Sequence, residues 1–127
     1  LVMVRQYRKA AKRVMLEVPA GKIDPGESAE TTAKRELKEE TGYTPKHVRF
    51  LMQFFPSVGY SEEILYLYLC TGLAAGETHF DENEALDIEE YEIDELYEMV
   101  MAGKIEDAKT IIAILTVKKL MEEGKLA

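Results

Sequence analysis

An α/β architecture, a mixed sheet layered between helices, is the fold class that this chain predicts, and three observations carry it. Short runs rich in β-branched and aromatic residues recur on either side of a stretch with helical periodicity. The run ILYLYLC at 64–70 is apolar almost throughout, as a strand covered on both faces is. A length of 127 residues suits one compact domain with a sizeable core. This order of elements fits an α/β/α sandwich without fixing it.

Leu1-Val2-Met3-Val4 reads as a strand already in progress, with no turn signal before it, so the chain is expected to lack its natural N-terminal residues. Arg5 and Arg8 follow at strand spacing and are expected to share a face and meet a phosphate; two solvated charges are the plain alternative. A polar hairpin through Lys12 and Arg13 leads to a second strand, Val14 to Val18, ended by Pro19-Ala20-Gly21. Asp24-Pro25-Gly26 is a turn signal and Gly42 a helix stop, which bracket a helix from about Ser28 to Thr41. Val48 to Phe55 reads as a strand closed by Pro56-Ser57-Val58-Gly59, and Ile64 to Cys70 as a central strand. A polar loop, His79 to Glu84, precedes an alternating strand, Ile88 to Ile93. Asp94 is expected to cap a short helix through Met101, ended by Gly103. The last helix, Glu106 to about Glu123, places Ala108, Ile111, Ile112, Leu115 and Met121 at helical spacing, and that stripe is expected to pack on the sheet.

Composition narrows the function classes. A formal net charge of -8 makes a nucleic-acid backbone a poor partner. No apolar run reaches the length of a membrane span, and no signal-peptide pattern is read at the start. Cys70, the single cysteine, lies in an apolar segment and is expected to be a buried thiol in a reducing, cytoplasmic setting. With only His47 and His79 and no cysteine partners, a zinc site has little support. No repeat or linker composition divides the chain.

The 28–41 helix carries the chemistry. Ala29, Ala33 and Leu37 form its core-facing stripe, Lys34 and Lys38 lie opposite, and Glu36 and Glu40 project into the apolar sector with Glu39 beside them. Carboxylates three or four residues apart lie about 5–6 Å from one another. At an effective dielectric near 20 each such pair repels by roughly 3 kcal/mol. The negative end of the helix dipole adds a few tenths to about 1 kcal/mol per anion. A hard divalent cation, Mg²⁺ or Mn²⁺, would convert this repulsion into ligation. The alternative is a solvated acidic helix end neutralised by Arg35, Lys34 and Lys38.

The flanking residues decide between these readings. Gly21, Glu27, Arg35, Glu36, Leu37, Glu39, Glu40, Gly42 and Tyr43 occupy the specified positions of G-x5-E-x7-R-E-U-x-E-E-x-G-U, where U is a bulky apolar residue. The stretch resembles the Nudix box, and a match at nine positions is far more specific than a short glycine pattern. Three further stretches, Glu17 to Lys22, Phe55 to Glu63 and Asp81 to Glu84, resemble the ADP-ribose pyrophosphatase branch. The resemblance implies a single Nudix domain over 1–127, with the α/β/α fold. It makes Glu36, Glu39, Glu40, Glu84 and the Ala20 carbonyl the Mg²⁺ ligands, and Glu82 the base. Glu27 and Arg35 become orienting members of the catalytic machinery, Arg8 a phosphate contact, and Arg5, Glu17, Pro56, Tyr60 and Glu63 further substrate candidates. Family members also carry N-terminal strands that build a homodimer and stack the adenine; this chain departs from them there.

The implied reaction is metal-assisted hydrolysis of ADP-ribose, or a related nucleoside diphosphate derivative, to AMP and ribose 5-phosphate. Hydrolysis of dinucleoside polyphosphates or nucleoside triphosphates would use the same box with another pocket. A domain that senses nucleotides without cleaving them would need neither the intact carboxylates nor Glu82.

Overall fold

The computed structural model describes residues 1–76 and 87–126. Its elements in order are β1 (Val2–Arg8), β2 (Arg13–Glu17), α1 (Ala29–Thr41), β3 (His47–Phe54), β4 (Leu65–Thr71), β5 (Asp87–Glu90), α2 (Ile93–Met101) and α3 (Ala108–Glu122). They fall into two compact units: one holds Leu1–Val18 with β5, α2 and α3, and the other runs from Pro19 through α1, β3 and β4. Among the described residues every strand pairing is antiparallel. None of the described helices is long and apolar enough to cross a membrane.

In the first unit β1 is the middle strand of the order β2-β1-β5. Successive residues Met3 and Val4, which point to opposite faces, are both buried, so both faces of β1 are covered there. A four-residue loop joins β1 to β2, closed by the Lys12 N–H on the Arg8 carbonyl at 2.8 Å, with Lys12 at a positive φ of 58°. The strand read from Leu1 onward runs to Arg8, and β2 pairs along it as far as Arg8↔Arg13. Arg5 and Arg8 do not share a face, since a period of two puts positions three apart on opposite sides. Arg5 pairs with Glu89, diagonally across on β5, and with the Tyr91 hydroxyl at 3.1 Å. Arg8 turns to Glu17.

Two helix readings change here. Asp94 is not the N-cap of α2: Ile93 and Leu96, spaced i and i+3, are both buried, so the helix starts at Ile93 and Glu92 takes the extended cap position. Asp94 instead accepts from Lys118 at 2.5 Å. Asp107 caps α3, accepting from the Thr110 N–H at 3.2 Å. The buried face of α3 is Thr110, Ala113, Ile114 and Val117, rotated from the expected stripe, while Leu115 and Met121 stay 41% and 45% exposed. α3 is apolar on several sides, so periodicity alone left its core face open.

In the second unit α1 lies against β3 and β4. Those strands pair in a two-stranded sheet with a register shift between Phe50 and Met52, where the Phe50 and Tyr68 rings meet edge to face at 5.4 Å. Of β4 only Leu69 is buried, and its one described partner strand is β3. The burial on both faces expected of a central strand is not seen in β4, most of whose residues are only partly buried.

Candidate active site

The box loop is built first by its turn. The Glu27 N–H reaches the Asp24 carbonyl at 3.0 Å, with Pro25 and Gly26 between them and Gly26 at φ 79°, the arrangement that a type II turn requires. Ser28 then caps α1, accepting from the Thr31 N–H at 3.1 Å. At the other end Gly42, at φ 79°, donates to the Lys38 carbonyl at 2.8 Å. These two ends give α1 the bounds expected from the sequence, and Lys34 and Lys38 face solvent as expected.

Between the caps, Arg35 organises the acids. Its Nε and Nη2 grip Glu27 at 2.9 and 3.0 Å, and Nη2 also donates to the Lys22 carbonyl at 3.0 Å. Asp24 lies 3.4 Å from the same nitrogen. Nη1 faces the other way and donates to Glu36 at 2.9 Å and Glu39 at 3.1 Å. Glu27 accepts two more bonds, from the Thr32 hydroxyl at 2.6 Å and from the Asp24 N–H at 3.3 Å. The Arg35 bonds first, then Thr32, push the Glu27 carboxyl down to about 2. Arg35 is in turn held more firmly protonated, chiefly by Glu27.

Glu40 is buried and accepts from the Ala20 N–H at 3.1 Å, which ties the strand-to-loop junction to the helix. Gly21 packs so closely on Glu36 that a Cβ there would overlap the carboxylate. The box glycine is thus required for space. The Thr32 hydroxyl and the Lys22 carbonyl are partners that the sequence reading missed. A Thr one turn into the helix, facing Glu27, was a readable signal; a backbone carbonyl was not.

Glu36, Glu39 and Glu40 offer hard oxygen donors on one helix, the chemistry a Mg²⁺ or Mn²⁺ ion takes. Nη1 of Arg35, bridging Glu36 and Glu39, marks where positive charge is drawn. In kind, the donors fit such an ion. In this arrangement their oxygens turn to Arg35 and the Ala20 N–H, and among the described residues no three acidic, His or Cys side chains close on a common point. Glu82 and Glu84 lie outside the described residues.

In the other unit Glu17 is 1% exposed. Arg8 grips it with two bonds of 2.7 Å, and the Lys109 Nζ adds a third at 2.8 Å. Burial pushes its pKa up, but these bonds outweigh it and hold the carboxyl below its ordinary value. Lys109 also meets Asp107 at 2.9 Å, and the Thr110 Oγ1 accepts from the Val18 N–H at 3.1 Å. No sequence signal links Glu17 to a lysine 92 positions away. Pro56, Tyr60 and Glu63 lie on the connection between β3 and β4, where Tyr60 is 97% exposed and its N–H reaches the Ser57 carbonyl at 2.9 Å. The Glu63 N–H donates to the Ser61 hydroxyl at 3.0 Å.

This chain belongs to the Nudix hydrolase family: the family's model, a NUDIX domain, matches residues 1–113. It is 41% identical over 116 residues to the methanol dehydrogenase activator of Bacillus methanolicus, covering 90% of this chain and 63% of that protein. It is 37% identical over 129 residues to the ADP-ribose pyrophosphatase of Bacillus subtilis, covering 98% and 70%. A solved structure of an ADP compounds hydrolase superposes with a TM-score of 0.87 at 25% identity, over 98% of this chain and 68% of that one. The chain therefore spans less than two thirds of the first of these relatives. It shares the Nudix α/β sandwich expected from its sequence.

Proposed function

We propose that this chain hydrolyses the pyrophosphate bond of ADP-ribose, or of a related nucleoside diphosphate derivative, to AMP and ribose 5-phosphate with Mg²⁺ or Mn²⁺. The observation that carries the reading is the Arg35-centred array of Glu27, Glu36 and Glu39 over Gly21. Several relatives are named ADP-ribose pyrophosphatase, which supports the substrate class. Another relative, from Streptomyces rubellomurinus, is named as the hydrolase of a CMP-linked phosphonate, which supports the wider class of nucleotide derivatives.

Glu36, Glu39, Glu40, the Ala20 carbonyl and Glu84 would hold the ion. When bound, it would neutralise charge developing on the phosphate oxygens and acidify an attacking water. Arg35, anchored on Glu27, keeps the helix acids aligned, and Gly21 leaves room for Glu36. Glu82 takes the water's proton. Arg8 meets a phosphate, and Arg5, Glu17, Pro56, Tyr60 and Glu63 remain substrate candidates, Glu17 only through Arg8 while both its oxygens are engaged. The same reading includes one Nudix domain across both units, a homodimer and a cytoplasmic setting; the family match runs through both units in support.

The test is turnover of a substrate panel with and without Mg²⁺. ADP-ribose should have a higher kcat/KM than diadenosine polyphosphates or nucleoside triphosphates. Glu82→Gln should lower kcat by about 10²–10⁴-fold, the scale of a lost general base. Equal or better turnover of a triphosphate removes the substrate assignment, and metal-independent turnover removes the mechanism.

A further inference from the structure

We propose that Arg35 is the resident counter-ion of the acidic helix face when no metal is bound, and that it releases Glu39 to an arriving divalent cation while keeping Glu27. This rests on the proposed reading that Glu36 and Glu39 are metal ligands.

The geometry divides the guanidinium into two arms. Nε and Nη2 are committed to the loop through Glu27, the Lys22 carbonyl and Asp24. Nη1 alone serves the helix acids Glu36 and Glu39. The two arms differ in what they cost to break. Glu27 is 13% exposed and doubly bonded to Arg35, and Thr32 supports it. Glu39 is 39% exposed and held by one i,i+4 bond, the kind of pair that contributes least. Glu36 is 17% exposed and is also confined by the backbone at Gly21. Glu39 is therefore the acid most readily surrendered, by a rotation of its own side chain, with the loop contacts of Arg35 intact. A cation placed among these acids meets the positive Nη1 arm until that rotation occurs, so the cation and Nη1 compete for Glu39.

The experiment is a pair of double-mutant cycles on urea unfolding, one for Arg35 with Glu39 and one for Arg35 with Glu27. Each uses Gln substitutions and is run in EDTA and in saturating Mg²⁺. Arg35 and Glu39 should couple favourably in EDTA and lose that coupling in Mg²⁺, while Arg35 and Glu27 stay coupled in both. An Arg35–Glu39 coupling that Mg²⁺ leaves unchanged, or a Glu27 coupling that it abolishes, overturns the proposal. If Arg35→Gln does not fold, side-chain NMR of the parent protein decides. On Mg²⁺ titration the Arg35 Nη1 signal should move and the Nε signal hold; both moving, or neither, overturns it. ADP-ribose turnover on the same samples separates the two claims. Turnover with unchanged coupling sinks only the exchange, and no turnover with metal-sensitive coupling sinks only the substrate reading.

Discussion

Two residues in the box loop act through neighbours and not through substrate. Gly21 is needed because its missing Cβ leaves the space that the Glu36 carboxylate fills. The overlapping atoms belong to a side chain that can swing, so Gly21→Ala should fold with a small stability loss yet displace Glu36. We expect Mg²⁺ affinity to fall about 10–100-fold, the usual effect of disturbing a ligand's support, while the melting temperature barely moves; calorimetric titration checks it. Glu27 works by charge. Its carboxyl sits at about 2 in the folded chain against an ordinary 4.5, so between those values the unfolded chain takes a proton that the folded one refuses. Its contribution is complete above about pH 4.5 and is lost as pH falls toward 2. Acid unfolding followed by circular dichroism should therefore be steeper in the parent than in Glu27→Gln across that window. Equal slopes would show that the Arg35 pair adds nothing to folding.

Helix α3 separates what periodicity says from what packing selects. Ile114 is fully buried and its sequence neighbour Leu115 is 41% exposed, although both are large and aliphatic. Ile114→Ala should cost about 2–5 kcal/mol through lost burial and a cavity. Leu115→Ala should cost well under half as much, and urea midpoints of the two variants decide it. The bounds of α1 came out as read because Ser28 and Gly42 mark its ends, and its two lysines face solvent. Its buried face, however, is Thr32, Leu37, Glu40 and Thr41 and not the expected stripe of Ala29, Ala33 and Leu37. α3 has Asp107 at its start, but its apolar residues spread over more than one face, so only its neighbours select the buried one. β5 and α2 divide differently from the expected strand because Ile93 continues the alternation of a strand and also begins the i, i+3 spacing of a helix.

At the scale of the molecule, the proposed metal site predicts that folding is coupled to metal through the acidic helix end. A cation that binds the folded chain alone stabilises it in proportion to the logarithm of its concentration. At 100 times its Kd, Mg²⁺ should raise the melting temperature by roughly 10 °C for a chain of this size. The double variant Glu36→Gln with Glu40→Gln should show no such rise. A variant that responds as the parent does would move the metal site away from α1.

The sequence by itself determined the family, the bounds of α1 and the identity of its acids. Those depend on local rules: a turn that needs Gly26, a cap at each helix end, and carboxylates at fixed helical spacing. It also contained the box glycine, though only the fold shows that Glu36 is what Gly21 makes room for. The tertiary structure decided that β1 lies between β2 and β5, which face of α3 is buried, and that Arg5 and Arg8 part to Glu89 and Glu17. Each of these turns on a partner distant in the chain. A side chain carries its own charge and shape in the sequence, but the group that neutralises or covers it is chosen only when the chain folds.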